Sequence, residues 1–245
     1  MAAKSRPYNF LNDNKGLTLS QTLVLFMNLI QRFMRFFFYL LYHTFAFTYD
    51  LVAATVSFGK WKDWTNTVLP FIKGTRILEL GHGPGHLQRI LHDLKLDSVA
   101  MDESAQMGIL AKRRIGKSHK LTRGLAQQLP FASNSFDCVI STFPTEYIFR
   151  TETLSEIRRC LSDEGRLIVL PVAWPKNGFL KWLHRVTGES PVELLASSKT
   201  RMREPFVNAG FDVKVEIVEL QSSTLMIIVA NNKRKEYVKK IKRTS

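Results

Sequence analysis

The sequence predicts a doubly wound α/β fold: a seven-stranded, mostly parallel sheet with helices on both faces and one antiparallel strand at an edge. Three observations carry this. Short apolar runs alternate with segments of helical periodicity from residue 75 to about 210, the pattern of a parallel sheet covered on both sides. The glycine-dense stretch ILELGHGPGHL, Ile77 to Leu87, follows the first run and reads as a strand–turn–helix junction built for a ligand. The last two runs, 211–220 and 223–230, are separated so closely that they form a hairpin, and a hairpin places one strand antiparallel to its neighbour.

The elements follow in order. RILEL (76–80) is a buried strand by its length and continuous apolar character. HLQRILHDL (86–94) places Leu87, Ile90, Leu91 and Leu94 at helical spacing. SVAMD (98–102) is the second strand, and Ser104 caps a helix reaching Arg114. KLTRG (120–124) is a short strand. FDCVIST (136–142) is a buried one, entered through the turn ASNS. TETLSEIRRCL (151–161) is a helix ended by SDEG, and RLIVLPV (166–172) is the next strand. Residues 173–200 read as an irregular insert, with Trp174, Phe179, Trp182 and Leu183 as an apolar lid or a small packed subdomain. A short helix near 204–209 stops at Gly210, and the hairpin follows.

Residues 1–60 form an aromatic-rich extension before a main domain at 61–231, and a tail follows at 232–245. The charge-free run between Arg35 and Asp50 is 14 residues long, whereas a spanning helix needs roughly 20. An interfacial helix or hairpin is expected over 17–58, its apolar side in lipid or against the main domain. The chain carries 35 Lys+Arg against 21 Asp+Glu, a net +14. That excess favours polyanions, either an anionic membrane surface or nucleic acid. Cys138 and Cys160 have neither metal-ligand nor disulfide-framework spacing, which makes a reducing cytoplasm the default and core packing their role.

A dinucleotide fingerprint would read G-x-G-x-x-G, but the sixth position from Gly81 is His86. The pattern is instead E-x-G-x-G-x-G, Glu79 to Gly85, and Pro84 removes a backbone donor from the loop. A nucleoside ligand held without phosphates fits better. Asp102 ends the second strand, 21 positions after Gly81, where a carboxylate can accept both ribose hydroxyls. The alternative is that it caps the next helix. His82 and His86 flank glycines on a loop with no third ligand near in sequence, so no metal is expected.

With these residues in place the chain resembles the class I S-adenosylmethionine (SAM)-dependent methyltransferases, a Rossmann-like family. ILELGHGPGHL matches the first motif and VAMDES the acidic second. GLAQQLPFASNSFDCVISTF matches the adenine-side and fourth-strand motifs, and LSEIRRCLSDEGRLIVL the helix and strand after them. The match runs from about 75 to 172. YDLVAATVSFGKWKDW (49–64) is similar to the segment preceding the core in the ubiquinone/menaquinone-biosynthesis branch.

The resemblance implies SAM as cofactor. Glu79, Gly81, Gly83 and Gly85 would face its methionine part, with His82 near the carboxylate. Asp102, with Glu103 beside it, would hold the ribose. Met107 would lie by the adenine or its neighbouring helix, Ala126 and Gln127 at the adenine edge, and Thr142 and Phe143 under the sulfonium. Leu125 stands where the family often has Asp. Glu146 and Tyr147 are the catalytic candidates. Methyl transfer needs alignment above all, and a base only if the acceptor must lose a proton.

The leading expectation is methylation of an apolar small molecule, quinone- or lipid-like, by a cytoplasmic protein peripheral on the inner face of the cell membrane. The alternatives are an RNA or protein methyltransferase, although no RNA-binding module is recognisable, and a SAM-binding scaffold without turnover. The sequence leaves the oligomeric state open.

Overall fold

The computed structural model describes residues 59–116, 120–176 and 191–233, all within one compact unit. Its elements are α1 (Trp61–Asn66), a 3₁₀ turn (Leu69–Phe71), β1 (Ile77–Leu80), α2 (His86–Asp93), β2 (Ser98–Asp102), α3 (Ala105–Ile115), β3 (Lys120–Arg123), β4 (Phe136–Thr142), a second 3₁₀ turn (Glu146–Phe149), α4 (Thr151–Cys160), β5 (Leu161–Pro175), α5 (Pro191–Asn208), β6 (Asp212–Glu219) and β7 (Ser223–Asn231).

The seven strands form one sheet in the order β3-β2-β1-β4-β5-β7-β6. β1 to β5 pair in parallel, and β7 runs antiparallel to both β5 and β6. The predicted hairpin is therefore present, and its reversed strand lies one place in from the edge. The chain winds outward from β1 through β2 to β3, then returns to the other side of β1 at β4. Such a reversal opens a crevice beyond the carboxyl ends of the two central strands.

Burial explains the strand sequences. All four residues of β1 are buried, because a central parallel strand is covered on both faces. Alternate side chains feed two cores. Leu78, Leu80, Val139, Leu167, Val169 and Ile228 pack with Leu154, Ile157 and Phe206 on one face. Ile77, Cys138, Ile140, Ile168, Leu170 and Ile227 pack with Trp64, Leu87 and Leu91 on the other. Both cysteines are buried and free, and burial pushes the Cys138 thiol up to about 12. They fill core space, as expected.

Three expectations are corrected on the second half of the chain. Residues 173–200 are not an irregular insert throughout: β5 continues to Pro175, and a helix already begins at Pro191. The helix expected near 204–209 is longer: α5 begins at Pro191 and runs through Pro205, held by Met202 and the fully buried Phe206. The helix before SDEG ends at Cys160, as expected, but the strand placed at 166–172 already begins at Leu161 and contains SDEG, with a register shift between the Phe136 and Cys138 pairings. The lid residues Phe179, Trp182 and Leu183, the extension at 1–58 and the tail beyond Lys233 lie outside the described residues. Among the described residues no helix is long and apolar enough to cross a membrane.

Candidate active site

The loop after β1 is shaped by three left-handed glycines: Gly81 at φ +72°, Gly83 at +51° and Gly85 at +84°. Residues with a Cβ rarely adopt this conformation, which answers why glycines alternate here. Two of them also stand where a side chain would collide. A Cβ on Gly81 would lie 2.6 Å from the Tyr147 hydroxyl, and one on Gly85 3.1 Å from the Ala111 Cβ. Gly83 differs, since a Cβ there would meet nothing within 4 Å. Its outer face is open, as a cradle for a ligand requires.

Asp102, the last residue of β2, is tied to this loop. Its Oδ2 accepts from the Gly83 N–H at 2.9 Å, and its Oδ1 accepts from the Ser104 N–H at 2.8 Å. A carboxylate has about four lone-pair sites, so each oxygen keeps capacity for one more donor. The helix cap itself is Ser104, whose hydroxyl accepts from the Met107 N–H at 3.3 Å. Asp102 is therefore not spent on capping α3. The loop closes on β2 a second time through Gly81 N–H to Met101 O at 2.8 Å.

Strand alternation turns Glu79 to the same face as Ile77, beneath α2. The residue is only 1% exposed. Gln88 Nε2 donates to its Oε2 at 2.7 Å, and Gln88 Oε1 in turn accepts from the Ser98 hydroxyl at 2.9 Å. Among the described residues no cation pairs with this carboxylate. Burial, with the negative charge of Asp102 adding to it, pushes its pKa up to about 8 despite the Gln88 hydrogen bond. His82 is also buried, which lowers its pKa against the opposing pull of Asp102. Its Nδ1 lies 2.6 Å from Gly83 O, so the Nδ1–H tautomer donates there. His86, at the start of α2, lies 3.3 Å through Nε2 from Arg114, which also donates to Pro84 O at 2.6 Å. Among the described residues no group of His, Cys, Asp and Glu could hold a metal ion.

The end of β4 supplies the opposite wall. Ser141 donates to Leu80 O at 2.8 Å and lies 2.9 Å from the Tyr147 hydroxyl, which itself reaches Leu80 O at 3.2 Å. Tyr147 therefore turns inward to the β1 loop. Glu146 turns outward: it is exposed and pairs with Arg150 at 3.8 Å. Phe143 stands at φ +50° with its N–H on Leu170 O. Its ring packs 4.3 Å from Trp61 and 6.0 Å from Trp64, and Trp64 donates to Ser223 Oγ at 2.9 Å. Thr142 is half-buried at the strand end.

On the far side of Asp102, Glu103 is exposed and its carbonyl accepts from Arg123. Met107 is fully buried in α3. Ala126 and Gln127 sit in a turn closed by Gln128 N–H to Leu125 O, with Leu125 about half exposed. Gln88 and the Trp61–Trp64–Phe143 cluster escaped the sequence reading. A polar residue on the apolar face of α2 was the available signal for the first, and two tryptophans at helical spacing the signal for the second.

The strand order, with the glycine turn after β1 and the acid at the end of β2, is the Rossmann-like arrangement of the class I methyltransferase fold. Residues 78–169 match the family described as a methyltransferase domain. The chain is 31% identical over 143 residues to a demethylmenaquinone methyltransferase of Thermotoga maritima, covering 56% of this chain and 62% of that one. It is 28% identical over 182 residues to a ubiquinone/menaquinone biosynthesis C-methyltransferase of Pseudomonas paraeruginosa, covering 67% and 69%. The match spans less than two thirds of the length of the first of these relatives and 69% of the second. The fold is shared with Haemonchus contortus phosphoethanolamine N-methyltransferase 2 in complex with S-adenosylhomocysteine, at TM-score 0.51, 17% identity, and coverage of 72% of this chain and 54% of that one.

Proposed function

We propose that this protein transfers the methyl group of SAM to an apolar small-molecule acceptor, quinone- or lipid-like, at a membrane surface. The observation that carries the cofactor half is the tether between Asp102 and Gly83: an acid with spare acceptor capacity, fixed beside a loop whose outer face is open. Asp102 would take the two ribose hydroxyls on its remaining lone pairs. Glu79 and the backbone of Gly81 and Gly83 would meet the methionine part, where a buried carboxylate without a cation fits a positively charged ligand. Gly85 would let α2 start close to that ligand, and His82, held neutral by burial, would fix the loop beside the ligand's carboxylate. Ala126 and Gln127 would border the adenine, with Met107 packed behind it and Glu103 at the rim.

SAM bound there supplies a methyl group on a positively charged sulfur. The residues' task is then to hold donor and acceptor in line and exclude water. Thr142, Phe143 and Tyr147 would form the wall beneath the methyl group. Tyr147 is the better catalytic candidate because its hydroxyl faces the β1 loop, whereas Glu146 faces solvent.

The acceptor class rests on two supports. The relatives named above act, by name, in quinone biosynthesis. The segment 17–58 is rich in Phe, Leu and Tyr, and the tail carries Lys233, Arg234, Lys235, Lys239, Lys240, Lys242 and Arg243; each such charge adds about 1 kcal/mol of attraction near an anionic surface. Incubation with methyl-labelled SAM and separated membrane, aqueous and RNA extracts tests it. Label should enter the lipid-soluble fraction. Label confined to RNA would overturn the acceptor class.

A further inference from the structure

Ser98, Gln88 and Glu79 form a hydrogen-bonded chain whose inner two members are buried. It links three elements, β2, α2 and β1, and ends at the loop proposed to receive the cofactor. Gln88 is 1% exposed, as is Glu79. A glutamine can serve a carboxylate only as a donor through its amide nitrogen. On its other side the amide oxygen of Gln88 accepts from the Ser98 hydroxyl. Both ends of the amide are therefore engaged, with the N–H donor directed at the acid.

We propose that Gln88 is a positioning residue that keeps the Glu79 carboxylate aimed and ionisable at the end of β1, so that the positively charged sulfonium cofactor binds with loss of a proton from Glu79, while its uncharged-sulfur product does so to a smaller extent and is held less tightly. This rests on the cofactor assignment made above. The site would then distinguish SAM from S-adenosylhomocysteine by charge at a group that does not touch the acceptor.

The physical basis is the environment of Glu79. The titratable group bearing on it directly is Asp102 of β2, which disfavours a second negative charge. Asp102 also faces His82 of the loop, whose burial keeps it neutral. On α3, Arg114 is directed at Pro84 and His86. Among the described residues of α2, Gln88 favours the ionised form through its hydrogen bond. An incoming cation would add to it, and the carboxyl proton would leave to solvent.

Titration calorimetry of the whole protein with SAM and with S-adenosylhomocysteine, in two buffers of different ionisation enthalpy between pH 6 and 9, tests this. Wild-type protein should release more protons with SAM than with the product, and SAM affinity should tighten as pH rises. Gln88→Leu should weaken SAM by about tenfold near neutral pH, equivalent to a one-unit displacement of the acid, with recovery at higher pH and a smaller effect on the product. Glu79→Gln should abolish the difference in proton release, and it carries the test alone if Gln88→Leu does not fold. Heats independent of buffer, or equal losses for both ligands at every pH, would overturn the inference while leaving the cofactor assignment standing. Wild-type protein that bound neither ligand would overturn both.

Discussion

Replacement of Gly81 by alanine tests the packing of the β1 turn against the β4 wall without any ligand. The new methyl group meets two penalties. The backbone is at φ +72°, and holding an L-residue there costs about 1–2 kcal/mol. The added Cβ also falls 2.6 Å from the Tyr147 hydroxyl, well inside contact distance, so that hydroxyl must move away from Ser141 and Leu80 O. Two hydrogen bonds at about 0.5–1.5 kcal/mol each are then lost. The single variant should lose about 2–5 kcal/mol. Tyr147→Phe alone loses the same two bonds, about 1–3 kcal/mol.

In the double variant the hydroxyl is absent and the nearest ring carbon lies at 3.6 Å, an ordinary contact. The hydroxyl's loss is then counted once, and the double variant should be more stable than additivity predicts by about 1–3 kcal/mol. Urea denaturation of the four proteins without cofactor measures this directly. Additivity within about 0.5 kcal/mol would show that Tyr147 does not occupy the space over Gly81, and the wall described for β4 would be wrong.

Three further outcomes are expected. Asp102→Ala should weaken SAM binding by roughly tenfold or more, since hydrogen bonds to a charged group are worth about 1.5–3 kcal/mol; unchanged affinity by calorimetry would place the ribose elsewhere. Glu79, pushed up from its ordinary 4.5 to about 8 by burial, holds its proton more tightly in the folded than in the unfolded chain. Its contribution to stability is therefore fully present below about pH 4.5 and lost as pH rises through 8. Melting curves of cofactor-free wild type should fall relative to Glu79→Gln across that window, and parallel curves would contradict the burial argument. Asp137 behaves in the opposite sense. The Arg76 guanidinium, helped by the Arg76 and Thr75 N–H groups, holds it down to about 2. Its contribution is present above its ordinary 3.8 and disappears as pH falls through 2. Asp137→Asn should lower the melting temperature at pH 7, with the gap closing in strong acid.

The parts of this architecture that could be read in advance are those dictated by neighbours in sequence. The strand before Gly81, the capping hydroxyl of Ser104, the acid closing β2 and the final hairpin are all local patterns, and each has a local cause. What escaped depends on distant partners. Tyr147 meets Leu80 O across 67 positions, and nothing near FPTEYIF says which of Glu146 and Tyr147 faces inward. Gln88 looks like a polar interruption of a helix until Glu79 and Ser98 are seen on either side of it. The early starts of β5 and α5 escaped for the same reason. They rest on the pairing of β5 with β4 and β7 and on the packing of Phe206.

The reversed direction of β7 separates two features usually assumed to act together. Its first residue, Ser223, lies opposite Pro175 and receives the Trp64 indole, at the same pole as the glycine loop. Its last, Asn231, lies opposite Arg166 at the other pole, and Asn232 is clamped there by the carbonyls of Arg158, Leu161 and Ser162. Nine strand residues at about 3.4 Å each separate these points by roughly 30 Å. Trp61, packed on Phe143, thus stands beside the mouth of the crevice, while Asn232 is fixed at the opposite end of the sheet. The two ends of the described domain are therefore held apart by the full length of β7, and a surface that meets one of them does not meet the other.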